Sequence, residues 1–264
     1  MRGNLDMVIK EIFPNPTVKH VIFQIRFPNL FFIESKMGDF QLRIMKEFPK
    51  SFMSFRRQLM IVDVGPKQRL EDIPIPSDEE YGKKLWQFES EKNYRLGVLS
   101  DSLDITSEYH KTYNLGDSNK FRDIIKFAVD NFLQVVSIPI ITRIGLRYID
   151  ECPLPKKDNE TFKSYYNSVF AVDRFNIADA DEMFFRATVR RGDYYLTYME
   201  SLQKSKDEYK LVLDFDGFAK DVPSEKYLEV TDKLHETISE EYERTIKDPV
   251  YEYMRRKVVE TAKQ

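Results

Sequence analysis

Alternation of apolar and polar residues predicts two β-strands whose sequence patterns are similar. Within positions 18 to 27, Val21, Phe23, Ile25 and Phe27 fall on one face, and Ile22, Gln24 and Arg26 fall on the other. From 140 to 149 the alternation returns, with Arg143 and Arg147 on the polar side. Each strand is therefore expected to bury one face and to present arginine on the other.

Apolar residues at three- and four-residue spacing predict the helices, and shorter alternating stretches predict the remaining strands. The predicted helices cover 34–48, 118–135, 162–170, 223–242 and 251–262. The further predicted strands cover 85–90, 94–100, 103–109, 183–191, 194–202 and 209–215. Residues 51–80 are less regular: 55–63 could form a strand, but several prolines and an acidic run predict a long surface loop.

The two halves of the chain are similar in sequence at two places. Equating Arg26 with Arg147, an offset of 121 residues, matches apolar with apolar positions along both strands. Equating Tyr94 with Tyr209, an offset of 115 residues, aligns the strands that begin there. These offsets are too long for a solenoid or propeller repeat. They favour one domain built by duplication of a half.

This order of elements predicts an α+β fold with duplicated β-α-β3-α halves that share one curved antiparallel sheet, with the helices on one side. The arrangement resembles the saddle of the TATA-binding-protein-like fold. The pseudo-repeats would cover about 15–137 and 138–248 of a single domain, and a C-terminal helix would follow over 249–264. The alternative is a helix-grip fold, in which the strands wrap around one long helix.

Composition narrows the expected location and partners. The net charge of −3 provides no global basic field for a polyanion. Cys152 is the single cysteine, which excludes an internal disulfide. No apolar stretch approaches the length of a membrane span, and the N-terminus has no leader-like apolar run. A cytoplasmic protein that does not enter a membrane is expected.

Three stretches carry a resemblance to a known family. They are Asn15-Pro-Thr-Val-Lys-His-Val-Ile-Phe-Gln-Ile-Arg-Phe27, the central Arg143-Ile-Gly-Leu-Arg-Tyr-Ile149, and a late segment from His235 to Glu243. The chain resembles a sporadically distributed, functionally uncharacterised group of bacterial and archaeal proteins. That group has an "NPP..E..F.IRF" opening, a central "RIGLRYI" and a late "H…FE" element. The patchy distribution implies an accessory or defence system.

This chain departs from the family pattern at three positions. Thr17 replaces the second proline of the opening, and Lys19 or His20 stands where the pattern has an acidic residue. Tyr242-Glu243 replaces Phe-Glu in the late element. No role is therefore assigned to the acidic position of the opening.

A set of arginines is the candidate binding site. Planar guanidinium groups suit carboxylate or phosphate on a ligand or a partner. In the predicted sheet these side chains would share the face opposite the helices. The candidate ligand-binding residues are Gln24, Arg26, Arg143, Arg147, Arg186 and Arg190. The alternative is that these arginines pair internally with Asp214, Asp216 or Gln24 in a cross-strand ladder.

The other chemical signals are weaker. Asp214 and Asp216 would share one face of a strand and could approach Mg²⁺ together, although Asp216-Gly217 also predicts a turn. His235 begins a zinc-protease-like segment that lacks the second histidine, which favours a structural role. No phosphate-binding glycine loop, dinucleotide motif or nucleophile elbow occurs. No metal, catalytic residue or cofactor is therefore assigned.

The resulting expectation is a non-enzymatic binding module that presents arginines to an acidic protein partner or to a small anionic ligand. One alternative is a nucleic-acid-binding protein, in which aromatic residues such as Trp86 and Tyr195 would stack on bases. A second is a magnesium-dependent hydrolase or phosphoryl-transfer enzyme that uses Asp214 and Asp216. A third is a scaffold in which the sheet face forms a homodimer interface.

Overall fold

The computed structural model describes residues 11–57, 82–205 and 208–256. Within these ranges the chain is an α+β protein with one antiparallel sheet of nine strands and with five α-helices. Two short 3₁₀ turns cover Ile33–Lys36 and Ser224–Lys226. In the same ranges no helix combines the length and the apolar character needed to cross a membrane.

The sheet is built from strands that pair antiparallel with their neighbours. In chain order the strands are β1 (Val18–Arg26), β2 (Lys50–Arg57), β3 (Gly82–Glu89), β4 (Tyr94–Leu99), β5 (Ser102–Ser107), β6 (Ile140–Leu154), β7 (Met183–Arg191), β8 (Tyr194–Ser205) and β9 (Glu208–Pro223). Across the sheet their order is β2-β3-β4-β5-β1-β6-β9-β8-β7. The pair β1 and β6, which the alternation picked out, therefore lies at the centre.

Helices cover the apolar face of the central strands. The helices are α1 (Met37–Ile44), α2 (Phe121–Val135), α3 (Asn159–Tyr165), α4 (Tyr227–Thr245) and α5 (Asp248–Arg255). Phe132 of α2 contacts Phe27, which follows β1, and Phe40 of α1, with ring centroids 5.5 and 5.4 Å apart. Phe23 and Ile25 of β1 are fully buried beneath this layer. The alternating apolar residues of β1 thus form the part of the core that the sheet contributes.

Helix α4 packs closely on the second half of the sheet because β9 carries a glycine beneath it. A side chain at Gly217 would begin 3.1 Å from Cδ1 of Ile238 and 3.6 Å from Cβ of Leu234. A residue with a Cβ atom would fit here only if the side chain of Ile238 moved away. The prediction of a turn at Asp216-Gly217 is wrong, since both residues lie inside the paired length of β9.

The prediction of a loop over 51–80 is also wrong for residues 51–57. Residues 51–57 lie in β2, which pairs with β3 along its whole length. Phe52, Met53 and Phe55 are 46%, 52% and 40% exposed, so neither face of this edge strand is buried. Without a buried face there is no alternation to detect. Residues 58–81 lie outside the described residues.

Other boundaries also differ from the prediction. The predicted helix over 162–170 is α3, which begins three residues earlier, where the side chain of Asp158 accepts a hydrogen bond from the amide of Thr161 at 2.7 Å. Strand β6 continues beyond 149 to Leu154 because β9 extends beside it as far as Tyr209. The predicted C-terminal helix begins at Asp248, and its residues from 257 onward lie outside the described part of the chain.

Candidate functional site

The candidate arginines of the two central strands lie on one face of the sheet. Arg26 stands directly opposite Arg143, and Arg147 stands opposite Ile22. Directly paired residues of antiparallel strands project to the same side. Gln24 occupies the position between them on β1 and therefore belongs to the same face.

The remaining two candidates extend this face to the edge of the sheet. The register runs from Arg147 through Asp216 of β9 to Thr188 of β7. Arg186 and Arg190 stand two residues on either side of Thr188, so they project to the same side. This surface, which carries Gln24, Arg26, Arg143, Arg147, Arg186 and Arg190, is called the arginine face below.

Aspartates on β9 hold two of the arginines. Arg147 donates from Nε and Nη2 to the two carboxylate oxygens of Asp214, the Nε bond being 2.7 Å long. Arg143 donates from Nη2 to both oxygens of Asp216, at 2.8 and 3.0 Å. Asp214 is only 7% exposed. For these two arginines the internal ladder, which was the alternative interpretation, is the observed arrangement.

The other three arginines are not neutralised. Arg26 donates from Nε to Oε1 of Gln24 at 2.9 Å, and Arg190 donates from Nε to the carbonyl oxygen of Gly192 at 2.9 Å. Both acceptors are uncharged. Within the described ranges Arg26, Arg186 and Arg190 form no ion pair. They are therefore the positive charge that the arginine face has available for a partner.

Aromatic residues contribute little to this face. Of the rings proposed to stack on bases, Trp86 lies on the helix side of β3, where it is partly buried against the core. Tyr195 does lie on the arginine face, but its ring stacks on Phe218, with centroids 5.0 Å apart. The guanidinium of Arg143 covers the Phe218 ring at 4.7 Å. These contacts are internal to the face.

The pair of Arg147 and Asp214 is expected to stabilise the sheet. Changing Asp214 to Asn, Arg147 to Gln, and both together forms a double-mutant cycle, measured by chemical denaturation. We expect an interaction energy of about 1–2 kcal/mol, because the carboxylate is buried whereas Arg147 is partly exposed. An interaction energy near zero would show that the pair is a weak surface ion pair, and Arg147 would then count among the arginines that can bind a partner.

The aspartates are poorly placed for a metal ion. Asp214 and Asp216 each accept two hydrogen bonds from an arginine, which occupies the oxygens that Mg²⁺ would need. In the described part of the chain no group of three or more histidine, cysteine, aspartate or glutamate side chains is arranged to hold a metal ion.

A second candidate site lies on the helix side of the sheet, where the sequence predicted none. A cavity of about 120 Å³ opens between α4, the middle of β6, the segment before β1 and the segment after β5. Its polar lining includes Thr17, Lys111, Tyr148, Asp150 and His235. These residues are far apart in the sequence, and only the fold brings them together.

A buried carboxyl group forms one wall of this cavity. Asp150 is 5% exposed, and its Oδ1 accepts a hydrogen bond of 2.9 Å from the hydroxyl of Thr17. The Thr17 oxygen is also 2.6 Å from the hydroxyl of Tyr242 on α4. Burial raises the pKa of Asp150 to about 7, although the Thr17 bond opposes the rise. The group therefore titrates near neutral pH.

A histidine forms the wall contributed by α4. Nδ1 of His235 lies 3.1 Å from the hydroxyl of Tyr148, and its ring stacks on Tyr113 with centroids 4.2 Å apart. Burial lowers the pKa of His235 to about 4, against the opposing influence of the Asp232 carboxylate. The imidazole is therefore neutral at physiological pH.

The Tyr113 wall is anchored by an ion pair outside the cavity. The hydroxyl of Tyr113 donates to Oδ1 of Asp232 at 2.7 Å. Arg122 of α2 donates to the same carboxylate from Nε at 2.7 Å and from Nη2 at 2.8 Å. This bidentate pair joins α2 to α4 and fixes the ring that covers His235.

The single cysteine, Cys152, is fully buried next to Thr17 and Tyr242 of the cavity wall. Burial raises the pKa of its thiol, so the reactive thiolate is disfavoured.

Comparison of the chain with protein-family models, with curated proteins and with solved structures found no match in any of the three.

Proposed function

We propose that the arginine face binds an acidic protein partner and that the protein is a non-enzymatic interaction module. The observation that carries the proposal is the set of three arginines without ion pairs, Arg26, Arg186 and Arg190, on a single sheet face. A partner with acidic side chains would supply the carboxylates that these guanidinium groups lack.

The spacing of the arginines favours an extended partner over a small anion. Arg186 and Arg190 are four residues apart on a strand, which corresponds to roughly 13 Å. Arg26 lies four strand positions from β7, which corresponds to roughly 19 Å at the usual distance between strands. No small anion spans these distances, whereas a protein surface or an acidic peptide does.

Nucleic acid is less well supported as the partner. Of the rings proposed to stack on bases, Trp86 lies on the helix side of the sheet and Tyr195 is stacked on Phe218. These rings therefore offer no stacking surface for bases on the arginine face. The magnesium-dependent enzyme is less supported still, because Arg143 and Arg147 occupy both aspartates.

A titration with simple probes tests this proposal. The wild type is titrated with a fluorescently labelled oligoglutamate peptide and, separately, with a single-stranded oligodeoxynucleotide of equal charge. Changing Arg26, Arg186 and Arg190 to Ala together is expected to lower the affinity for the peptide at least about tenfold, since three charge pairs are lost. The control changes the exposed Lys46, Lys92 and Lys226 to Ala and removes the same charge elsewhere.

Each outcome of this titration has a distinct meaning. Loss of peptide binding in the arginine variant alone supports the proposal. Equal losses in the arginine and lysine variants would reduce the effect to net charge and overturn it. Tighter binding of the oligodeoxynucleotide than of the peptide, lost in the arginine variant, would replace the protein partner by nucleic acid.

We also propose that the domain arose by duplication of a half and that it resembles the TATA-binding-protein-like saddle. In the alignment that equates Arg26 with Arg147, Ile22 is equated with Arg143. The strand pair Arg26–Arg143 therefore maps onto the pair Arg147–Ile22, which is also observed. This is the relation expected for two copies about a twofold axis. Outward from the centre, β5-β4-β3-β2 follow β1 and β9-β8-β7 follow β6.

Two observations limit the similarity of the halves. The first half has four strands after its initial strand and helix, where the second has three. The alignment of Tyr94 with Tyr209 joins β4 to β9, although β9 is adjacent to β6 while β5 separates β4 from β1. The helix-grip alternative is less well supported, because α4 packs mainly on β6 and β9 while a second long helix, α2, packs beside β1.

A further inference from the structure

The cavity beneath α4 has the features of a built binding site. Asp150 is buried, and among the described residues only one of its two carboxylate oxygens accepts a hydrogen bond. Oδ2 accepts no hydrogen bond from the described residues, and it is not fully enclosed by protein atoms. A carboxylate oxygen that lines a cavity and has no donor from the fold is positioned for a donor from a ligand.

Aromatic rings form much of the remaining wall. Phe13, Tyr113, Tyr148 and Tyr242 all line the cavity. The faces of aromatic rings attract cations, most strongly where water is excluded. A carboxylate surrounded by aromatic rings is therefore complementary to a positively charged head group with an alkyl body.

The two lysines near Asp150 do not form an ion pair with it. Lys111 lines the cavity, but its Nζ donates to the carbonyl oxygen of Val18 at 3.2 Å. Within the described ranges neither Lys111 nor Lys19 is joined to Asp150 by an ion pair, although both lower its pKa from a greater distance. Asp150 therefore has no cation in direct contact.

The size of the cavity limits the ligand. Its volume of about 120 Å³ is somewhat below the ~150 Å³ of an engineered cavity that holds benzene. A ligand of about five or six non-hydrogen atoms fits this space, and an amino acid with a large side chain or a nucleotide does not.

We propose that this cavity binds a small organic amine as its cation, with the charged nitrogen on Oδ2 of Asp150 and the alkyl group against the aromatic wall. The site is separate from the arginine face, since the two lie on opposite sides of the sheet. The proposed amine binding therefore does not depend on the proposed acidic partner.

The affinity for the amine is expected to depend on pH. Asp150 must lose its proton to bind a cation, and its pKa is raised to about 7. The other charged or titratable groups near it are Lys19 of β1, Lys111, Tyr148, Cys152, Tyr242 and, from the opposite side of the sheet, Asp214 of β9. Of these, the thiol and the two phenols have raised pKa values and stay neutral between pH 5 and 8. Lowering the pH from 8 to 5 is expected to weaken binding roughly 100-fold.

Three probes of one shape and different charge test the proposal. They are tert-butylammonium, tert-butanol and pivalate, which carry positive, zero and negative charge on the same alkyl group. Binding to the wild type is followed by NMR through the ring signals of His235 and Tyr148. We expect the ammonium to bind most tightly at pH 8, the alcohol weakly and with little dependence on pH, and pivalate not at all.

Variants assign the binding to this cavity. Asp150→Asn keeps the shape and the Thr17 hydrogen bond but removes the charge, so it should abolish the preference for the ammonium and leave alcohol binding unchanged. Ser239→Leu fills the cavity from α4 without touching Asp150 and should abolish binding of both. It provides the test if the asparagine variant does not fold.

Three results would overturn the proposal. The first is equal affinity for the ammonium and the alcohol at pH 8, and the second is tightest binding of pivalate. The third is an absence of binding by all three probes to a folded wild type. Retention of ammonium binding in folded Ser239→Leu would place the site elsewhere and overturn the assignment to this cavity.

Discussion

Changing Asp150 to Asn is expected to make the protein more stable above pH 7 and to leave its stability unchanged near pH 4. The pKa of Asp150 is raised from 3.8 to about 7 by burial, so the native protein keeps a proton that the unfolded chain releases over this range. Wild-type stability is therefore lost as the pH rises from about 4 to 7. The shift corresponds to roughly 4 kcal/mol, which the asparagine variant would regain.

Chemical denaturation of both proteins between pH 4 and 8 measures this difference. All other titrating groups are shared, so their contributions cancel in the comparison. A difference that grows with pH and levels off above 7 is the expected result. A difference that does not change with pH would mean that Asp150 ionises in the native state as it does in the unfolded chain.

Changing His235 to Phe is expected to have the opposite dependence on pH. Burial lowers the pKa of His235 from 6.5 to about 4, so the unfolded chain binds a proton that the native state excludes. The wild type has its full stability above pH 6.5 and loses it as the pH falls toward 4. Relative to the phenylalanine variant, which keeps the ring on Tyr113, this loss corresponds to about 3 kcal/mol.

The comparison with the variant is necessary because a second histidine acts in the same direction. Burial lowers the pKa of His110 to about 4 as well, and its Nδ1 lies 2.8 Å from the hydroxyl of Ser107. Direct NMR titration of the imidazole of His235 completes the test. A midpoint near 6.5 in the folded protein, together with parallel stability profiles, would contradict the buried neutral state.

The sequence predicted the centre of the fold because one face of each central strand is buried. In β1, apolar residues at Val21, Phe23 and Ile25 face the helices, which produces an alternation that can be detected without a structure. Edge strand β2 has no buried face, so its pattern has no such signal.

The sequence predicts that the candidate arginines share one face of the sheet, but it does not predict which of them pair with aspartates. The alternation places Arg143 and Arg147 on one side, and this follows from local sequence alone. Whether they pair with Asp214 and Asp216 depends on the register of β9, whose residues are about 70 positions away. Such register is set by tertiary packing and cannot be derived from either strand by itself.

The cavity was missed for a different reason. The apolar face of β6, read onward from Leu146 and Tyr148 at every second position, reaches Asp150. A carboxylate on the core face of a strand is a signal of a buried functional group. The alternation predicts a strand that ends at 149, one residue before Asp150, so the sequence does not place this carboxylate on the core face. The partners of Asp150 come from other segments and could not be inferred.

The central claim, that Arg26, Arg186 and Arg190 bind an acidic protein, is tested most directly by native pull-down from the source cell. Wild type, the triple alanine variant of these arginines, and the Lys46/Lys92/Lys226→Ala control are compared, and the eluates are assayed for protein and for nucleic acid. The account predicts an acidic protein that is retained by the wild type and the control and lost by the folded arginine variant. Identical eluates from all three proteins, or nucleic acid as the only species lost, would contradict it.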